Sequence, residues 1–197
     1  MSSPNRPIGS TASGPPEDLG MTSGRRRGVL LVNLGTPDGP DRRSVFRYLA
    51  QFLSDPAVIQ LPRGWRWANR PLGHLIAGFR ARKSAALYRE IWTERGSPLS
   101  SITQEQAQAL GEILPPGWQV FYAMRYGQPS IDRVLGEVAS CGIEELVVVP
   151  MYPHFSGTSA GTAVRELYSA LQRAGHHFSV TVRNSWYEDG GYVYAQA

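Results

Sequence analysis

The chain has 197 residues, 42% hydrophobic and 18% charged, which is enough apolar material for one sizeable core and excludes a wholly disordered protein. Its formal net charge is +4, and half of that excess lies in residues 1–27, where four arginines face two acidic residues. The remaining charge of about +2 excludes the clustered basic face that nucleic-acid binding requires.

The beginning of the chain differs in composition from the rest. The first 26 residues are rich in Ser, Pro and Gly and have almost no large apolar side chains, so they predict a disordered leader. We therefore expect one α/β domain at 27–197. A single cysteine, Cys141, excludes an intramolecular disulfide and favours a reducing compartment, so the expected location is the cytoplasm. No apolar run approaches the roughly 18 residues of a membrane-spanning helix.

Short apolar runs predict strands, and amphipathic patterns between them predict helices. The strands are expected at 28–33, 119–123, 145–150 and 178–183, and the helices at 41–53, at 101–114 and from Pro129 to a glycine cap at Gly142. Ser101 and Gln104 have the spacing of a capping box. Strands alternating with helices predict a doubly wound parallel sheet of Rossmann-like type.

Two segments break the alternation. Residues 54–80 form an insertion too apolar for a plain solvent loop, and we expect it to cover another part of the protein. Residues 186–192 predict a strand-to-helix turn, after which the chain ends as if inside its next helix.

Ligands of such sheets bind at the carboxyl ends of the strands, which here are followed by the loops 34–40, 124–130 and 151–162. The first loop lacks the glycine and lysine spacings of phosphate cradles. In the third, the small residues 157–162 form either a phosphate site at a helix start or a capped tight turn.

Two side chains in these loops have alternative interpretations. Arg125, at the end of the second strand, either meets an anionic ligand group or forms an ion pair that covers the sheet edge. His154, after the third strand, is either a crevice residue or a structural one. The histidines and the single cysteine form no metal-ligand set. The crevice is apolar and aromatic with one or two arginines, which suits a flat apolar ligand that carries carboxylates.

Four motifs in order carry a resemblance to a known family. They are LVNLGTPD at 31–38, the segment 88–102 with its GSPL turn, AMRYGQPS at 123–130 and VPMYPHFS at 149–156. From about residue 28 onward the chain resembles ferrochelatase, which inserts ferrous iron into a porphyrin during haem synthesis, and it is most similar to bacterial members.

The resemblance implies a fold of two similar α/β halves with the porphyrin in the cleft between them, of which this chain is the first half. It implies that Leu34 contacts the macrocycle and that Arg80, Ser97 and Arg125 line the cleft, the arginines steering propionates. We add Tyr126 and His154 to the predicted substrate-binding set, with His154 in an accessory role. The apolar insertion corresponds to the family's lip over the pocket mouth.

The family's proton-accepting histidine, in a Ser-x-His-Ser motif, and its partner glutamate belong to the second half, and this sequence contains neither motif. We therefore expect no catalytic residue and no metal ligand in this half, and no iron insertion by it alone. Fe(II) is expected as a substrate and not as a cofactor. No iron–sulfur cluster is expected, because Gly157 occupies a position where animal members have a cluster cysteine.

The expected partners are the porphyrin, ferrous iron and the missing second half, and association with a membrane surface is left open. The expected reaction is conversion of protoporphyrin IX to protohaem. Leu34 favours this substrate, because some coproporphyrin-using members carry tyrosine there. The alternatives are a coproporphyrin III ferrochelatase, a porphyrin-binding module without turnover, and a phosphate-binding α/β domain that uses the 157–162 loop.

Overall fold

The computed structural model describes residues 25–175 and 178–197. Their order is β1 (Arg27–Thr36), α1 (Arg42–Leu53), a short 3-10 helix (Arg63–Ala68), α2 (Asn69–Ile91), α3 (Pro98–Ile113), β2 (Trp118–Gly127), α4 (Ile131–Ser140), β3 (Glu145–Pro150), α5 (Ala160–Ala174), β4 (Ser179–Val182) and α6 (Gly190–Gln196).

The predicted leader lies outside the described residues except at its end, where two arginines contact the domain. Arg25 forms an ion pair with Glu145 at 3.0 Å, and the Arg26 guanidinium donates to the carbonyl of Cys141. The described part of the domain therefore begins slightly before the predicted boundary at residue 27.

The four strands form one parallel sheet in the order β2-β1-β3-β4. β1 lies in the interior, with Arg27 in register with Trp118 of β2 and with Glu145 of β3. Parallel neighbours on both sides explain why β1 is a continuous apolar run, and Leu30 and Val32 are fully buried. The predicted parallel α/β sheet is confirmed.

Successive residues of β1 point to opposite faces of the sheet, and each face has its own core. Leu30 packs in a cluster with Leu135 of α4 and Leu167 of α5. Val29 and Leu31 pack in a second cluster that includes Ala107 of α3. Helices therefore cover both sides of the sheet, and its carboxyl edge is where the loops converge.

The segment that did not fit the alternation belongs to a helical hairpin of α1 and α2. Small residues at every fourth position of α2 are buried: Gly73, Ala77, Ala81 and Ala85. Ala77 packs against Ala50 and Leu53 of α1, so small side chains allow close packing of the two helices. Several large apolar side chains of the segment are exposed, namely those of Trp65, Trp67, Leu75 and Phe79, whereas Ile76 is partly buried against this cluster.

Two predicted helix starts are wrong. α3 begins at Pro98, because proline suits the first helical position, and Ser97 is its N-cap residue, so Ser101 and Gln104 form no capping box. α4 begins after Ser130, whose hydroxyl oxygen accepts from the backbone N–H of Arg133. Pro129 lies before that helix, and its carbonyl accepts from the N–H of Met124 in β2 at 2.7 Å.

The ends of the later elements agree with the sequence pattern. Gly142, after α4, has a φ of +67°, the left-handed conformation predicted for a glycine cap. The side chain of Asp189 caps α6, at the predicted strand-to-helix turn. Within the described residues, none of the helices combines the length and the apolar character needed to span a membrane.

Candidate functional site

The sheet has one topological switch point, between β1 and β3. From β1 the chain moves to β2 on one side, and after β2 it crosses to β3 on the other side of β1. Crevices at such points lie beyond the carboxyl ends of the strands and bind ligands. The loops after Thr36 and Pro150 flank this position, so the candidate site is at this edge.

The end of β1 is fixed by side-chain hydrogen bonds to α3. The Asn33 amide donates to the hydroxyl of Thr103 at 2.9 Å, and its carbonyl oxygen accepts from the N–H of Leu34 at 2.8 Å. Leu34 itself is half-buried. Asn33 therefore holds the backbone that presents the Leu34 side chain.

Gly35 and Thr36, the last two residues of β1, attach the end of this strand to its neighbours. Gly35 has a φ of +103°, and a Cβ on it would lie 1.7 Å from the carbonyl oxygen of Tyr126. The Thr36 hydroxyl donates to the Ser97 hydroxyl at 2.9 Å. Ser97 is buried, so its hydroxyl serves a contact between β1 and α3.

Arg80 lies on α2 and is exposed. It forms no ion pair with any residue in the described part of the chain. Its neighbour Phe79 is 79% exposed, while Ala77 and Ala81 face the protein interior. The Arg80 charge is therefore free to meet an anionic group from outside the helix.

Arg125 has two acidic neighbours from distant parts of the chain. Its Nη2 lies 2.5 Å from Oδ2 of Asp55, and its Nη1 lies 3.8 Å from Oε2 of Glu166 on α5. The guanidinium carbon lies 4.4 Å from the ring centroid of Tyr126. Of the two interpretations of Arg125, the structure shows the ion pair.

Tyr126 completes this group, since its hydroxyl donates to Oδ2 of Asp55 at 2.9 Å. Burial raises the pKa of Tyr126 to about 12, an effect that Asp55 reinforces and Arg125 opposes. Burial also raises the pKa of Tyr48 and Tyr152. These phenols stay protonated at neutral pH and are not bases. Tyr48 and Tyr126 donate hydrogen bonds, whereas the buried hydroxyl of Tyr152 has no partner among the described residues.

His154 is exposed and lies among aromatic side chains of the C-terminal segment. Its ring stacks on Tyr187 at 5.4 Å and meets Tyr192 edge-on at 6.2 Å. The indole of Trp186 donates to the carbonyl of Pro150 at 3.1 Å, which ties this segment to the end of β3. The loop that carries His154 is thus supported by residues that follow β4.

The 157–162 loop has the geometry of a tight turn. The N–H groups of Gly161 and Thr162 donate to the carbonyls of Ser156 and Ser159. The Thr162 hydroxyl also donates to the Ser159 carbonyl at 3.0 Å. These two backbone donors at the helix start therefore already have partners, which disfavours the phosphate-site alternative.

Comparison with known proteins gives a consistent result. A family model described as Ferrochelatase matches residues 26–197. This chain belongs to the ferrochelatase family. Among curated relatives, it is 41% identical over 180 residues to the ferrochelatase of Neisseria gonorrhoeae, covering 91% of this chain and 52% of that protein. It is 42% identical over 176 residues to the ferrochelatase of Chromobacterium violaceum, covering 87% and 48%.

The chain spans about half the length of these ferrochelatases and corresponds to their N-terminal half. This confirms the family that the four motifs indicated. The predicted site residues fall into separate neighbourhoods: Leu34 with Ser97 at the end of β1, Arg125 with Tyr126 at the end of β2, His154 after β3, and Arg80 on α2.

Asp55 is the residue of this candidate site that the sequence reasoning missed. It follows α1 within the apolar insertion, and its side chain is only 9% exposed. An acidic residue in an otherwise apolar stretch was an available sign of a buried charge, although it did not identify the partner. Across the part of the chain that the structure describes, no group of three or more His, Cys, Asp or Glu could hold a metal ion.

Proposed function

We propose that this chain is the first half of a ferrochelatase that inserts Fe(II) into protoporphyrin IX to form protohaem, and that it supplies one wall of the porphyrin cleft. The observation that carries the proposal is the family match over residues 26–197. The position of Leu34 and Arg125 at the carboxyl ends of β1 and β2 supports it, because parallel sheets bind ligands there.

The roles proposed for individual residues follow from exposure and charge. Leu34 contributes an apolar contact to the macrocycle, and Ser97 holds the end of β1 that presents it through a hydrogen bond with Thr36. Arg80 anchors a propionate, because its exposed guanidinium has no acidic partner among the described residues. His154 lines the cleft in an accessory role beside Tyr187. Tyr126, predicted to contact the substrate, is fully buried and instead supports Arg125, whose guanidinium lies over its ring.

Metal insertion displaces two pyrrole protons, so the reaction needs a base beside the macrocycle. We assign that base to the second half of the protein. In this half, the buried tyrosines retain their protons at neutral pH, and the carboxylate of Asp55 is occupied by Arg125 and Tyr126. Iron is a substrate in this scheme, and neither a resident cofactor nor an iron–sulfur cluster is proposed.

We propose that the second half packs beside this one and covers part of the apolar insertion. Trp65 and Trp67, which are 63% and 73% exposed, support an apolar partner at that surface. The proposed location is the cytoplasm, and any contact with a membrane surface would use the same exposed side chains.

The test is a titration of the 197-residue chain with protoporphyrin IX, followed by the Soret shift and by tryptophan quenching. We expect saturable binding, about tenfold weaker for Arg80→Ala, the loss typical of one charge-assisted hydrogen bond. Arg82→Ala, which removes another exposed arginine of α2, is the control and should bind like the wild type. Inorganic phosphate should not compete.

An iron-insertion assay on the same samples tests whether the proton-accepting base belongs to the second half of the protein. We expect the chain to bind the porphyrin without inserting metal. Absence of saturable binding contradicts the proposed cleft wall. Metal insertion by this chain alone contradicts the assignment of the base to the second half and would direct attention to His154.

A further inference from the structure

We propose that Asp55 is a positioning residue of the porphyrin site, which fixes Arg125 against the fully buried Tyr126 so that Arg125 meets the macrocycle and not its carboxylates. The inference rests on the proposed porphyrin-binding function and goes beyond it, because it assigns a role to a residue outside the four motifs.

Both carboxylate oxygens of Asp55 are engaged. Oδ2 accepts from Nη2 of Arg125 at 2.5 Å and from the hydroxyl of Tyr126 at 2.9 Å. Oδ1 accepts from the backbone N–H of Ala57 at 2.8 Å, which fixes the orientation of the carboxylate. One buried side chain thus orients two neighbouring residues at the end of β2.

The charge of Arg125 is balanced inside the protein. Its side chain is only 12% exposed, and two carboxylates, from Asp55 and Glu166, lie within 3.8 Å of it. A guanidinium in this setting has little charge left to attract a propionate, whereas the exposed Arg80 has no such partner in the described part of the chain. We therefore infer that Arg125 contributes to porphyrin binding through the position of its guanidinium and not through attraction of a propionate.

One observation points from Arg125 towards a ligand. Its Nε–H is buried and has no hydrogen-bond partner among the described residues. A buried donor of this kind is normally satisfied, so this N–H is available to an acceptor atom of a bound molecule. Arg125 also borders a cavity of about 250 Å³ that Asp55, Thr162 and Glu166 help to line.

The experiment compares two probes, protoporphyrin IX and its dimethyl ester, which lacks free carboxylates. Asp55→Asn is expected to weaken binding of both probes by about tenfold, the effect typical of losing a hydrogen bond to a charged group. Arg80→Ala should weaken binding of the diacid only. Glu137→Gln is the matched control, because Glu137 also pairs with an arginine, Arg133, but on the exposed surface of α4.

A mutant cycle separates positioning from a general structural effect. In a chain that already carries Arg125→Met and Tyr126→Phe, Asp55→Asn should change the affinity by less than about twofold, since the groups it positions are gone. An independent or purely structural contribution would instead multiply with the other losses. Circular dichroism and a thermal melt establish that each variant is folded.

Three outcomes overturn the inference: wild-type affinity in Asp55→Asn, a multiplicative cycle, or a loss confined to the diacid. If Asp55→Asn does not fold, Tyr126→Phe is the alternative variant. It removes one of the two hydrogen bonds that Oδ2 of Asp55 accepts, and it leaves the ion pair of Asp55 with Arg125 intact. It should bind both probes about threefold more weakly, and unchanged affinity overturns the inference. Failure of the wild-type chain to bind either porphyrin overturns the proposed function itself, a result visible before any Asp55 variant is tested.

Discussion

Gly35 occupies a backbone position that other residues tolerate poorly. Its φ is +103°, and a Cβ would lie 1.7 Å from the carbonyl oxygen of Tyr126, so β1 and β2 would have to separate. We expect Gly35→Ala to lower the free energy of unfolding by about 2–4 kcal/mol, as measured by urea denaturation.

Gly136→Ala is the control for this change. Gly136 lies within α4, nothing lies within 4 Å of its added Cβ, and alanine favours helix, so this variant should gain about 0.5–1 kcal/mol. An unchanged denaturation midpoint for Gly35→Ala would show that the end of β1 relaxes freely, contrary to this prediction.

At the same scale, the sequence predicts which residues could act but not which partners they have. The position of Arg125 at a strand end followed from the apolar pattern of β2. Its partner Asp55 is 70 residues away, and no local pattern reports a contact over that separation. The sequence reasoning therefore left the ion pair and the ligand contact as alternatives, and only the fold shows the pair.

At the scale of elements, packing of α1 on α2 depends on small side chains. Ala77 is fully buried against Ala50 and Leu53. Ala77→Leu would place three additional carbons in a close helix contact, and we expect a loss of about 1–3 kcal/mol in thermal or urea unfolding. Gly78→Ala, one residue away with open space around the added carbon, should be neutral or stabilising. Equal stability of Ala77→Leu and the wild type would contradict close packing here.

The strands could be predicted from their apolar sequence pattern, whereas the α1–α2 hairpin could not. β1 has parallel neighbours on both sides and is buried on both faces, so its apolar run is readable without knowledge of the fold. α2 instead buries alanines and glycine and exposes Leu75 and Phe79, which reverses the usual pattern of an amphipathic helix. Its apolar residues therefore suggested a covering segment and not a helix.

At the scale of the whole molecule, the sheet gathers tyrosines near its carboxyl edge. Burial raises the pKa of Tyr48, Tyr88, Tyr126 and Tyr152 above their ordinary value of 10. The Tyr48 hydroxyl donates to the carbonyl of Gly35, and Tyr126 donates to Asp55, so neutral phenols are part of the native structure. The edge that forms the candidate site is therefore sensitive to alkaline pH.

This sensitivity predicts a specific loss of stability at high pH. The unfolded chain releases these phenol protons near pH 10, whereas folded Tyr126 holds its proton to about pH 12. Between these values the unfolded state binds fewer protons, so the stability from Tyr126 is present below pH 10 and is lost as the pH rises towards 12. We expect Tm to fall across this range, by roughly 2–4 °C for each kcal/mol lost.

Tyr126→Phe should show a shallower fall in Tm with pH than the wild type. Tyr194→Phe is the control and should follow the wild type, because Tyr194 is 86% exposed. If Tm falls equally steeply with pH in Tyr126→Phe and in the wild type, the pKa of Tyr126 is not raised by folding. The hydrogen bond from Tyr126 to Asp55 would then not stabilise this edge of the sheet.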